Sequence, residues 1–276
     1  MPSVKIQLMS DLHLGTPQTR PTYQDFEIPP ECQYLALLGD IGVIGDNRLF
    51  DFLEKQLRSF EVVFYLLGNH EPFGITRLEA QTSVRAFEHK MEELRSSSGS
   101  NLGKFVFLDQ TRYDLTEEVT VLGCTLFSHI SNDQRESVSL FCSDFSEIQD
   151  WTVDTHNAAH RSDLRWLDTQ VEHITQHEPR RKILVFTHHS PTLLEHANDP
   201  RHLDDAAQVR SAFVTDLSEQ ECWKNASVKF WAFGHTHFNC DFVDSGTKRR
   251  VVANQKGYRK SESDTFDVTK VVEVIY

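Results

Sequence analysis

Five short segments of this chain carry side chains that could hold metal ions: Ser10-Asp11-Leu12-His13, Gly39-Asp40, Gly68-Asn69-His70-Glu71, Thr187-His188-His189 and Gly234-His235-Thr236-His237. Carboxylate, imidazole and amide oxygen together form the ligand set of a two-metal hydrolytic site. Such a site needs one carboxylate able to bridge two cations, which lower the pKa of a shared water toward neutrality. A neutral amide ligand limits the negative charge gathered around the metals. An imidazole just outside can give or take a proton, because its pKa lies near neutrality.

Each segment follows an apolar run rich in β-favouring residues, so strands are expected over residues 4–9, 34–38, 62–67, 183–186 and 230–233. In open α/β sheets ligands gather at the carboxyl ends of strands, so five such ends can meet in one place. Taken singly the segments say less. Gly39-Asp40 alone suits a turn, and Asp11-Leu12-His13 alone suits a helix cap or a surface loop. Gly234-His235-Thr236-His237 is sharper, because two imidazoles straight after an apolar strand are costly unless they bind something. The specificity lies in the whole set and its order.

In that order the segments resemble the motifs of the calcineurin-like metallophosphoesterase superfamily: Asp-x-His, Gly-Asp, Gly-Asn-His-Asp/Glu, His and Gly-His-x-His, here from Asp11 to His237. The resemblance implies an α/β fold, a four-layer α-β-β-α sandwich of two mixed sheets flanked by helices, with a dinuclear metal centre at one edge. It implies that Asp11, His13 and His237 hold one metal, that Asn69, His188 and His235 hold the other, and that Asp40 bridges them. His70 would stand just outside, near the leaving-group oxygen. His188 is preferred to His189 because it comes first after Thr187, and neighbouring strand residues point to opposite faces. The implied reaction is hydrolysis of a phosphomonoester or phosphodiester by attack of a metal-bridging hydroxide on phosphorus. His70 would protonate the leaving oxygen or hold a phosphoryl oxygen. The implied cofactors are two divalent metal ions, and the imidazoles favour Mn, Fe or Zn over Mg. The implied substrate is a small phosphorylated molecule, with a nucleotide among the candidates.

Three further pieces resemble a bacterial and fungal branch of single-domain members: Gly123-Cys124-Thr125-Leu126-Phe127, Asp144-Phe145-Ser146-Glu147-Ile148 and Asn254-Gln255-Lys256-Gly257-Tyr258. Glu71 points elsewhere, toward the protein serine/threonine phosphatases, which have Gly-Asn-His-Glu. Those phosphatases also have Gly-Asp-x-Val-Asp-Arg-Gly, whereas Val43 and Ile44 stand here where the second Asp and the Arg would be. Asp46 is a candidate substitute as the partner of His70. A third reading, a non-catalytic scaffold on the same fold, is opposed by the filled ligand positions.

Composition narrows the class. The 276 residues suffice for a substantial core, and no linker-like stretch separates residues 11 and 237, so one domain over 1–276 is expected. A net charge of −13 disfavours general nucleic-acid binding but leaves a nucleotide substrate open. No apolar run approaches the roughly 20 residues of a membrane span. Five cysteines, at 32, 124, 142, 222 and 240, form an odd set without Cys-x-x-Cys, which reads as reduced thiols. With no leader pattern at the start of the chain, a cytoplasmic location is expected.

Helices are expected over 47–59 and 76–95 and strands over 104–108 and 119–122, while residues 124–165 are less regular. A helix through 161–176 would start near Asp154 or Thr155 as its cap. His156, Asn157 and His160 are then read as part of a capped helix start in preference to pocket residues. His129 is open between pocket and surface, and the role of Asn254 is open. His89, His173, His177, His196 and His202 sit among polar neighbours and are read as surface residues.

Overall fold

Apolar runs such as Tyr34–Leu38 have no polar face, which suits parallel strands covered on both sides. Successive side chains then serve two different cores: Leu35 and Leu37 face one way, Ala36 and Leu38 the other. The structure is a computed structural model, described for residues 2–200, 208–258 and 264–276. In it β1 (Ser3–Met9), β2 (Tyr34–Leu38), β3 (Val62–Leu66) and β4 (Lys104–Phe107) run parallel. The last strand, β11 (Val271–Ile275), pairs antiparallel with β1 and completes a five-stranded sheet ordered β11-β1-β2-β3-β4. A six-stranded sheet has the parallel strands β6 (Val119–Cys124), β7 (Lys182–Thr187), β8 (Val228–Phe233) and β10 (Arg250–Ala253). Its antiparallel edges are β5 (Thr111–Asp114) and β9 (Cys240–Val243).

The two sheets share one apolar layer, in which Leu8, Leu38, Phe64, Phe186 and Phe230 are buried. On the outer face of the first sheet, α1 (Arg48–Leu57) and α2 (Arg77–Ser96) bury Leu53, Val84 and Phe87 against Leu37 and Tyr65. On the outer face of the second, α5 (Val153–His177) and α6 (Glu221–Lys224) bury Leu167, Val171 and Trp223 against Val185 and Trp231. The result is the expected four-layer sandwich of two mixed sheets flanked by helices. Among the described residues no helix is long and apolar enough to cross a membrane.

The expected strands and the first two helices lie within one or two residues of their places. The segment 124–165 is more ordered than expected, with short helices α3 (Arg135–Phe141) and α4 (Asp144–Glu147). The start of α5 corrects the expected cap. Thr152, not Asp154 or Thr155, caps it: its Oγ1 accepts from Thr155 N at 3.2 Å, and Thr155 Oγ1 accepts from Thr152 N at 2.8 Å. This reciprocal pair satisfies two helix-end donors at once, and Asp154 falls inside the first turn.

Candidate metal centre

All the expected ligands leave the carboxyl ends of parallel strands, from both sheets, on the same edge of the sandwich. β1 leads to Asp11 and His13, β2 to Asp40, β3 to Asn69 and His70, β7 to His188, and β8 to His235 and His237. The backbone turns sharply there. Asp11, His13, Asp40, His235 and His237 have φ of 54°, 47°, 54°, 71° and 51°, in the left-handed region that side chains rarely adopt. Such strain is sustained only where surrounding structure fixes it, and it clusters at functional sites. Here the turns are tied across strands: Asp11 N donates to Gly39 O at 3.0 Å, His13 N to Asp40 O at 2.9 Å, and Gly234 N to His188 O at 2.8 Å. Gly68 is required by close approach, since a Cβ there would collide with Asp40 Oδ1 and Asp40 N.

Among the described residues three clusters form around these turns: Asp11, His13 and His237; His13, Asp40 and His70; Asp40, His188 and His235. Asp40 belongs to two of them. Its Oδ2 lies 3.5 Å from His188 Nε2, 3.8 Å from His70 Nε2 and 3.9 Å from His13 Nε2. His237 Nε2 lies 3.4 Å from Asp11 Oδ1 and 3.1 Å from His13 Nε2. Asn69 Oδ1 is 3.0 Å from His188 Nε2, and Asn69 Nδ2 donates to Asp144 Oδ1 at 2.8 Å. His189, the residue set aside, is also buried, but its ring lies against His235 and neither of its nitrogens has a partner among the described residues.

The electrostatics suit cations. Burial holds His13 and His235 down at about 3, so both imidazoles present lone pairs at neutral pH. Burial raises the Asp11 carboxyl, but the His237 hydrogen bond and the nearby His188 outweigh it and hold it at about 2. Burial likewise opposes ionisation of Asp40, yet His70 and His188 hold it well below the usual carboxylate range. His188 is pushed the other way: burial disfavours its charge, but Asp40 beside it raises it to about 10. Two buried carboxylates therefore face a set of imidazole nitrogens. Two of these, His13 Nε2 and His237 Nε2, converge on each other, and His235 Nε2 is buried without a partner among the described residues. Ionised carboxylates with neutral imidazoles at His13 and His235 fit divalent metal ions, and His188 would give up its proton on metal binding.

Glu71 is buried beneath the site. Its Oε2 accepts from Asp40 N at 3.0 Å and Gly68 N at 2.8 Å, and its Oε1 accepts from Ile41 N at 2.8 Å and Tyr65 Oη at 3.2 Å. Burial and the Asp40 charge raise its carboxyl, while three backbone N–H groups converging on its two oxygens favour the carboxylate. Glu71 thus clamps the β2 turn to the β3 turn.

His70 lies on the wall of a cavity of about 580 Å³ that also holds Asp40, Asn69, His235 and His237. Its partner is not Asp46, which is engaged by Arg48 through two 2.8 Å hydrogen bonds at the start of α1. Instead the Tyr258 hydroxyl lies 2.9 Å from His70 Nε2. His156, Asn157 and His160 do not line this cavity. They fasten the loop after β6: His156 Nε2 meets Ser128 Oγ at 3.1 Å, Asn157 exchanges hydrogen bonds with the Ile130 backbone, and His160 Nδ1 meets Leu126 O at 3.1 Å. His129 is exposed and outside the cavity wall, with its backbone N–H on Thr215 Oγ1. His89, His173, His177 and His196 are exposed, as expected, while His202 lies outside the described residues. Asn254 Nδ2 donates to Leu8 O at 2.7 Å and Asp267 O at 2.8 Å, a structural tie.

The model of one protein family, calcineurin-like phosphoesterase, matches residues 4–239. The chain belongs to that family. Members hydrolyse phosphate esters at a dinuclear divalent metal centre, and this chain is a metal-dependent phosphate ester hydrolase. An uncharacterised protein of Acanthamoeba polyphaga mimivirus is 23% identical over 289 residues, covering 98% of this chain and 96% of the viral one. In structure the chain is similar to phosphopantetheinyl hydrolase from Mycobacterium tuberculosis. The TM-score is 0.70 at 15% identity, over 98% of this chain and 95% of that one. A dimetal phosphatase from Danio rerio is aligned with a TM-score of 0.47 at 14% identity, over 92% and 87% of the two chains. The first of these solved structures supports the sandwich fold.

Two neighbours of the site, Asp144 and Tyr258, carry no ligand motif in the sequence. Both lie in segments matched to the single-domain branch, and that match was the only signal available.

Proposed function

We propose that this phosphoesterase cleaves a small phosphorylated molecule at the edge of the sandwich. Asp11, His13 and His237 would hold one divalent metal and Asn69, His188 and His235 the other, with Asp40 shared. Bound there, two cations would supply a nucleophile from water near neutral pH and neutralise the phosphoryl oxygens. The chain's own contribution is placement. Asp40 presents a buried charge to both groups of ligands, Asp144 turns Asn69, Glu71 fixes the turns that carry Asp40 and Asn69, and His70 faces the cavity to protonate the leaving oxygen.

The observation that carries this reading is the linkage of the three clusters through His13 and Asp40, with Asp40 at the wall of one cavity. Its volume is that of a small-molecule pocket. The wall also includes Phe141, Val209, Phe213 and Val214, an apolar surface suited to the organic part of an ester, a nucleoside among the candidates. Glu71, which hinted at a protein phosphatase, is buried and spent on backbone N–H groups, and no Arg or Asp stands at positions 43 and 44. The ligand set favours Mn, Fe or Zn. Five unpaired cysteines support a cytoplasmic setting, and residues 1–276 are proposed to act as one domain.

The test is a panel of phosphomonoesters, phosphodiesters and cyclic nucleotides given to the purified full chain with added Mn²⁺. Turnover of at least one class, abolished by chelation and restored by metal, is expected. A protein carrying two metals per chain that cleaves none of them would overturn the proposal.

A further inference from the structure

The segment Asn254-Gln255-Lys256-Gly257-Tyr258 supplies none of the proposed ligands, yet it is laced to two of the ligand turns. Gln255 forms a parallel bridge with Ser10, Lys256 N donates to Ser10 O at 3.2 Å, and Gly257 N donates to Asp11 O at 3.0 Å. On the other side, Gln255 Nε2 donates to Thr236 Oγ1 and Phe238 O, both at 3.1 Å. Gly257, at φ +67°, turns the chain so that the next residue reaches the cavity wall.

That residue is Tyr258. It is 48% exposed, but its ring is seated on His13, with centroids 4.1 Å apart and planes 21° from parallel. Its hydroxyl lies 2.9 Å from His70 Nε2. From elsewhere in the chain, Phe73 packs on the His70 ring at 4.2 Å between centroids. A tyrosine hydroxyl can donate or accept, so it can hold Nε2 in either tautomer.

We infer that Tyr258 is a positioning residue for His70 in ester cleavage: the ring stacked on His13 carries a hydroxyl that holds His70 Nε2 beside the metal ligands. This rests on the phosphoesterase reading of the site. A partly exposed imidazole on its own turn has rotamers that face away from the cavity. One hydrogen bond anchored on a ligand's ring selects the useful one before any ester arrives, and misplacement by about 1 Å can cost on the order of 100-fold in rate.

Tyr258→Phe removes the hydroxyl and keeps the ring on His13. For esters with poor leaving groups, kcat is expected to fall about tenfold, the scale of one hydrogen bond. KM should change less than about twofold and bound metal should be unaltered. In a His70→Ala background the same change is expected to cost nothing further, because its effect passes through His70. An equal loss in both backgrounds, no loss in either, or loss of metal would overturn the inference. Independently of turnover, ¹⁵N spectra of the His70 ring in the Zn²⁺-loaded full chain should shift on Tyr258→Phe, and an unchanged ring signal would also overturn it. If the wild type cleaves no ester, the phosphoesterase reading fails. The ring spectra then still decide whether Tyr258 holds His70, and a positioning role in ester cleavage falls with that reading.

Discussion

Asn69 donates through Nδ2 to Asp144 Oδ1 at 2.8 Å, and this leaves its Oδ1 turned toward His188. The carboxylate decides which end of the amide faces His188, as outer partners generally do for metal ligands, the role proposed for Asn69. Burial raises the Asp144 carboxyl, while the Asn69 hydrogen bond favours its charge. Asp144→Ala is expected to weaken the metal proposed at Asn69 by about 10- to 100-fold and to leave the other proposed site nearly unchanged. Asp144→Asn, which can still accept from Nδ2, should recover part of the loss. Calorimetric metal titration separates the two sites, and equal weakening of both would contradict this role.

Asp40→Asn should be more damaging, because Asp40 Oδ2 lies 3.9 Å from His13 Nε2 and 3.5 Å from His188 Nε2, one from each proposed ligand group. Its carboxyl is held well below the usual range by His70 and His188 despite burial, so the variant loses a full negative charge at neutral pH. Both metals should leave on gel filtration, and turnover should fall by more than about 100-fold. Metal analysis beside activity checks this. A variant with two metals and near-normal turnover would show that Asp40 bridges nothing.

The fold was legible because its strands are written twice, as apolar runs and as the polar residues that end them. Leu35 to Leu38 with Gly39 and Asp40 gives both the strand and the end at which Asp40 leaves it. What the residues did not reveal lies in long-range packing. Asp144 meets Asn69 across 75 positions and Tyr258 meets His70 across 188, and no periodicity encodes either contact. Glu71 was visible, but its contacts were not: next to Asn69 and His70 in sequence, it turns inward to backbone N–H groups. The helix start at Thr152 was missed because Asp154 looked like a cap, although the Thr152 and Thr155 hydroxyls satisfy each other's backbone first.

Glu71→Gln should destabilise the chain without touching a ligand side chain. Turned one way, the amide NH₂ would face the Asp40 and Gly68 N–H groups; turned the other, it would face Ile41 N–H and the Tyr65 hydroxyl, which can rotate to accept from it. At least one hydrogen bond is lost and a buried N–H is left unsatisfied, a cost of about 1–3 kcal/mol. Urea unfolding of the metal-free protein measures it directly. A loss below about 0.5 kcal/mol, the scale of an ordinary surface change, would mean that the clamp is not under load.

His160 makes the stability of the loop after β6 dependent on pH. Its Nδ1 lies 3.1 Å from Leu126 O, and burial lowers its pKa from 6.5 to about 4. The unfolded chain therefore takes up a proton below pH 6.5 that the folded chain refuses. The contribution is fully present above pH 6.5 and is lost as pH falls toward 4, at up to about 1.4 kcal/mol per pH unit. His156, which burial lowers to about 3, acts in the same direction. His160→Asn keeps an amide donor near the Nδ1 position but removes the titration. The variant should be less stable than wild type at pH 7.5, yet it should lose less stability between pH 7 and pH 5. Urea unfolding of both metal-free proteins at these pH values checks the prediction. Parallel pH profiles would mean that the folded chain accommodates the His160 proton after all.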